Sequence, residues 1–178
     1  MVSKNVKIGI AIGVGILIVI LAILLVRTIF LGGCCAIYEI DPEVQSQING
    51  QFSNNSVKFV VYPLSKEVKI EQGKSEGVAF AIKNTESTQG VFEYSVHASK
   101  LDDKCLERFS LEKANNLIVS GGTTRNIVLN AGKKMDEAVL IKFEIQENTP
   151  LCDIEYKVDV KKDNAIYGQT DFKLKIVS

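Results

Sequence analysis

The chain has 178 residues, enough for one ordinary domain and an appendage. Its 21 lysines and arginines balance 21 aspartates and glutamates, and a pI near 6.6 excludes the basic footprint of a nucleic-acid-binding protein. One histidine and no tryptophan leave little material for a histidine-rich metal centre or an aromatic sugar-binding platform.

The first predicted element is a membrane span. After a short cytoplasmic N-terminus, 1–7, the run "IGIAIGVGILIVILAILLV" from Ile8 to Val26 carries no charge and no strong hydrogen-bonding side chain. A soluble helix of that length would show a polar face. About 20 apolar residues cross the roughly 30 Å hydrocarbon layer, so a transmembrane helix is expected over 8–31, with Arg27 snorkelling to the outer interface. Lys4 and Lys7 precede the run, whereas Glu39, Asp41 and Glu43 follow it. The positive-inside tendency then puts the N-terminus in the cytoplasm and the C-terminal domain outside the cell membrane. Gly9 and Gly13, with Ala11 and Gly15, have the small-xxx-small spacing of a lipid-embedded helix contact. The competing reading is a lipoprotein. "LGGC" resembles a bacterial-type lipobox, which would make Cys34 a lipidated N-terminus, but Arg27 interrupts the apolar core that such a signal needs.

The four cysteines fall into two pairs. Adjacent Cys34 and Cys35 meet disulfide geometry poorly with each other, which leaves lipidation or an intermolecular bond open for both. Cys105 and Cys152 are expected to form a disulfide. Their bond would close a long loop, contribute roughly 4 kcal/mol on chain-entropy grounds, and persist in an external compartment. With His97 as the lone histidine, zinc and two-histidine copper sites fail on ligand count, and no cofactor is expected.

Residues 32–56 read as an external stalk, with room for a short helical turn after Pro42. "NNS" makes Asn54 a glycosylation acceptor. From Val57 the apolar period changes to two. Alternation runs through "VKFVVYP", "KEVKI", "EGVAFAI" and "GVFEYSVHA". It resumes at Ile127 and Leu129, at Val139 to Ile145, and in "DIEYKVDV" and "DFKLKIV". One apolar and one polar face per strand marks half-buried antiparallel sheets. "EQGKS", "KNTESTQG", "SGG", "LNAGKK" and "ENTP" supply turns. The expected fold over 57–178 is all-β, a Greek-key sandwich of about seven or eight strands. "DDKCLERFSLEKANN" interrupts it as a short helix or irregular crossover, and the C-terminal strand is expected at an open sheet edge.

The strands "VKIEQGKSEGVAFAIKN" and "IVLNAGKKMDEAVLIKFEI…CDIEYKVDV" resemble the immunoglobulin-like or fibronectin-like modules of bacterial and archaeal surface proteins. The layout as a whole is also similar to archaeal surface-appendage accessory proteins with one N-terminal span. The resemblance implies an immunoglobulin-like module displayed outside the cell.

No catalytic constellation is found. Ser95 and His97 share a strand face without a nucleophile turn. Asp102 and Asp103 lack the regular oxygen spacing of a calcium loop, and "SGGTT" lacks the lysine of a phosphate loop. The sequence therefore favours a non-enzymatic, single-pass structural or protein-interaction subunit of a surface filament or membrane complex. Its partners would be membrane lipid and either another protein or further copies of itself. An external ligand-binding module and an unrecognised enzyme or cofactor carrier are the alternatives.

Overall fold

The computed structural model describes residues 40–106 and 108–178, and the backbone only at Arg125. The span over 8–31, its small residues Gly9, Ala11, Gly13 and Gly15, and Cys34 and Cys35 lie outside the described residues. Among those described, no helix is long and apolar enough to cross a membrane.

Strands β1 (Phe59–Tyr62), β2 (Glu67–Glu71), β3 (Ser75–Ile82) and β4 (Gly90–Leu101) follow the alternating segments of the sequence. After the crossover come β5 (Ile118–Ser120), β6 (Thr123–Leu129), β7 (Val139–Glu144), β8 (Asp153–Lys162) and β9 (Ala165–Val177). They form a four-stranded sheet, β1-β3-β7-β5, and a five-stranded sheet, β2-β9-β8-β4-β6. The two pack face to face as a β-sandwich. Val78, Phe80, Ile141 and Phe143 of one sheet share a core with Phe92, Tyr94, Tyr156, Phe172 and Leu174 of the other.

Aromatic rings carry much of that core. Phe143 meets Tyr156 edge-on with ring centroids 4.9 Å apart, and Tyr156 stacks on Phe172 at 5.5 Å. Farther along, Phe80 meets Tyr94 at 5.3 Å. Each buried phenol has an acceptor, as burial requires. Tyr94 donates to the Gly121 carbonyl at 2.9 Å and Tyr156 to the Ala114 carbonyl at 2.7 Å. Burial pushes the Tyr94 hydroxyl up to about 12 and that of Tyr156 higher, so both remain neutral donors.

Three features depart from the sequence reading. First, the later part of the expected stalk is packed structure. Helix α1 (Pro42–Gln51) is capped by Asp41, whose carboxylate accepts from Glu43 N–H at 2.7 Å, and Pro42 occupies its first turn. Ile48 and Phe52 are buried with Val60, Ala79 and Ala81 on the outer face of β1 and β3, and Ile40 and Val44 pack against them. This explains why β3 is buried on both faces from Val78 onward. Lys83 fixes the helix end, donating to the Phe52 carbonyl at 2.9 Å and to Asn55 Oδ1 at 3.0 Å.

Second, β9 is not an edge strand. It begins at Ala165, follows a two-residue Asp163–Asn164 turn with both φ angles positive, and runs between β8 and β2. Lys173 and Lys175 lie opposite Glu155 and Asp153 of β8, and the Lys173–Asp153 pair stands at 3.8 Å. Their charges serve cross-strand pairing. Third, strand number and pairing differ. The described residues form nine strands where seven or eight were expected, the extra one being the three-residue β5 after the crossover. The β2–β9 pair is parallel, so the sheets are not wholly antiparallel.

Candidate interaction surface

The crossover after β4 contains two short helices, α2 (Asp103–Leu106) and α3 (Leu111–Asn115), before β5. Ser110 caps α3, accepting from Lys113 N–H at 3.2 Å. Cys105 and Cys152 are joined in a disulfide with Cα atoms 5.6 Å apart, as the sequence predicted. The bond ties α2 to the residue preceding β8. Asp102 reinforces the join, accepting from the Cys105 N–H at 3.0 Å and from the Asp153 N–H at 3.2 Å. Asp102 and the two sulfurs lie close enough together to suggest a metal site. The sulfurs are bonded to each other and the carboxylate is occupied by two N–H groups, so this cluster is a structural staple.

The Cys105 carbonyl accepts from the N–H groups of Arg108, at 3.0 Å, and Phe109, at 2.8 Å. The staple thus also sets the next turn, which walls a cleft of about 840 Å³. The opposite wall is the β7–β8 loop, with Asn148, Pro150 and Leu151, and Gln72 reaches in from the β2–β3 turn. Gln72 holds that loop by donating to the Thr149 carbonyl at 2.6 Å. Phe109, Leu117 and Val119 give the cleft apolar surface, and Val119 and Leu151 are each 48% exposed. The exposed side chains of Arg108 and Lys113 put positive charge on one side, and Glu144 contributes a single carboxylate.

Strand β5 ends the four-stranded sheet, and no strand of the described residues lies beyond it. Ile118 pairs with Phe143 and Ser120 with Lys142, so Val119 is the extra residue of a bulge. The shortness of β5 and its bulge both blunt that edge, and the other edges carry devices of the same kind. Charged Glu67, Lys69 and Glu71 alternate along β2, and a register shift in its pairing with β4 and a positive φ at Asn126 interrupt β6. Both devices discourage strand addition.

The remaining sequence-predicted positions lie apart from this cleft. His97 is half-exposed on the outer face of β4, its Nδ1 3.6 Å from Asp159 Oδ2, and Ser95 pairs in register with Asp159. The row is partly exposed, with Asp159 Oδ1 buried and without a hydrogen-bond partner among the described residues, and no strained turn accompanies it. Asp103 opens α2. Asn54 is exposed after α1, its Oδ1 accepting from the Ser56 N–H at 3.0 Å and the Ser56 hydroxyl at 2.8 Å. Val91, exposed on the face opposite Phe92, is paired with exposed Val128 across β4 and β6. Sequence reasoning missed the cleft because it is assembled from three distant segments, none of which carries a motif.

No protein-family model matches the chain. No curated protein matches it either. Solved structures offer distant likenesses. The alkylpurine DNA glycosylase AlkC of Pseudomonas fluorescens matches at 16% identity and TM-score 0.33, over 75% of this chain and 34% of that one. The class 5 fimbriae chaperone CfaA matches at 12% identity and TM-score 0.34, over 66% and 54%. A PapD-like domain of human CEP192 matches at 14% identity and TM-score 0.34, over 70% and 87%. The chain thus spans about a third of the glycosylase and about half of the fimbrial chaperone. At such TM-scores these likenesses carry no argument about family or activity.

Proposed function

We propose that the chain is a non-enzymatic, single-pass membrane protein whose external immunoglobulin-like Greek-key sandwich holds a protein partner near the cell surface. The observation that carries this reading is the charge-free apolar run from Ile8 to Val26, flanked by Lys4 and Lys7 before it and acidic residues after it. The Cys105–Cys152 disulfide supports an oxidising, external compartment for the domain. The small-residue face of Gly9, Ala11, Gly13 and Gly15 offers a second contact inside the bilayer. A lipoprotein anchored through Cys34 is the second reading, favoured by "LGGC" alone.

Crosslinking in native membranes, followed by identification of the attached peptides, tests the partner-holding role. A reproducible protein partner on the sandwich surface or the helix is the expected result. A protein that remains alone while a metal or small molecule copurifies stoichiometrically contradicts it in favour of a ligand-binding module.

A further inference from the structure

We infer that Asn54 is an N-glycosylation site whose carboxamide nitrogen takes a saccharide from a lipid-phosphate-linked donor outside the cell. The inference rests on the external placement of the domain in the reading above and assigns a modification that the reading does not use.

The sequence narrows the choice to one asparagine. "NNS", Asn54 to Ser56, is the one place where an asparagine precedes serine or threonine by two positions with no proline between. The structure shows what that spacing does. Helix α1 ends at Gln51, and Ser53, Asn54, Asn55 and Ser56 are all exposed on the way to β1. The Asn54 carbonyl accepts from the Val57 N–H at 3.2 Å, which closes a turn. Inside that turn Asn54 Oδ1 accepts from the Ser56 N–H at 3.0 Å and from the Ser56 hydroxyl at 2.8 Å. Its Nδ2 has no acceptor among the described residues. Two hydrogen bonds to Oδ1 polarise the carboxamide and make its N–H protons more acidic. The reacting nitrogen is thus left uncommitted on an exposed turn, where a bulky solvated group has room.

Asn55 shows the contrast within the same turn. Its Oδ1 accepts from Nζ of the buried Lys83 at 3.0 Å, which ties it to the end of β3. Two positions on from it stands apolar Val57, so it has no hydroxyl to polarise it. Only Asn54 combines the free nitrogen with the hydroxyl.

In the transfer, Asn54 Nδ2 forms a bond to the anomeric carbon of the donor sugar. The bond from that carbon to the phosphate oxygen breaks, and its electron pair leaves with the lipid phosphate. Nδ2 gives up one proton to a base of the transferring enzyme. Nothing is oxidised or reduced, and this chain acts as the acceptor.

The test uses the full-length protein purified from the membranes of its native host, with the Asn54 peptide analysed by mass spectrometry. The expected peptide is heavier than its sequence by a whole number of monosaccharide residues. Ser56→Ala leaves Asn54 in place and should lose the adduct completely, whereas Ser56→Thr should keep it. Ser56 is exposed, and circular dichroism checks that both variants fold. An unmodified Asn54 peptide overturns the proposal, as does an adduct that survives Ser56→Ala or maps to another residue. An unmodified peptide in a protein whose Cys34 or Cys35 is labelled from outside removes the glycan and leaves the external placement standing. Labelling only after the membrane is opened removes both.

Discussion

Replacing Phe143 with alanine is expected to cost about 3 to 5 kcal/mol, a large part of the stability of a domain this size. Phe143 is fully buried and touches two other rings, Tyr156 at 4.9 Å and Phe172 at 5.9 Å. Lost transfer free energy is only part of the cost. The rest depends on how far the neighbours can collapse into the void, and here they are held. Tyr156 is fixed by its hydrogen bond to the Ala114 carbonyl and by its stacking on Phe172. Phe143 also pairs with both β3 and β5, so its backbone is fixed on either side. Urea denaturation of the detergent-solubilised protein checks the value. A loss below about 1 kcal/mol would mean that the cavity closes and that this aromatic cluster is not the centre of the core.

Removal of the disulfide has the second large effect. The double variant Cys105→Ala, Cys152→Ala should lose about 2 to 4 kcal/mol. The upper figure is the chain-entropy value for a 47-residue separation. Strand β8 pairs with both β4 and β9 and should stay in place. The crossover has less holding it, because α2 spans only Asp103–Leu106 and the bond is its covalent tie to the sheet. Hydrogen exchange should therefore rise first around residues 103–110, which include the cleft wall at Arg108 and Phe109. Unchanged stability and unchanged exchange in the variant would show that Asp102 and the packing of Cys105 hold the crossover without the bond. Ready alkylation of both cysteines in the unreduced native protein would remove the disulfide from the account altogether.

The core strands were legible because a half-buried strand writes its own pattern. Phe92, Tyr94, Val96 and Ala98 are buried in alternation along β4, and Ile154, Tyr156, Val158 and Val160 repeat this along β8. Helix α1 was legible too, but in a different period. Ile40, Val44, Ile48 and Phe52 recur every fourth residue, and Asp41–Pro42 is a helix start. Average composition concealed that stripe, since the residues between are nearly all polar. The Asp163–Asn164 turn was likewise readable as a two-residue hairpin loop, and finding it would have lengthened β9 to Ala165.

Sheet order was not legible in the same sense. Alternation says which face of a strand is buried, but not which strand lies beside it. The parallel pairing of β2 with β9 joins segments separated by most of the domain, and no local residue choice announces it. Lys173 and Lys175 look like edge protection in one dimension and turn out to face Glu155 and Asp153 across an interior strand pair. The cysteine pairing succeeded on another footing. Two cysteines distant in sequence, no metal partners and an expected external compartment left few alternatives, and the structure joins them. The cleft required the three-dimensional meeting of Gln72, the 108–119 crossover and the 144–151 segment.

The proposed retained membrane span, with the sandwich outside the cell, is checked by the intact mass of the membrane-extracted protein. The expected result is a chain that still begins at Met1 or Val2, with Cys34 or Cys35 labelled by a membrane-impermeant thiol reagent on intact cells once denatured controls show that the thiols are free. A mature chain beginning at Cys34 and carrying a diacylglycerol mass would contradict the span, and labelling only after the membrane is opened would contradict the external placement.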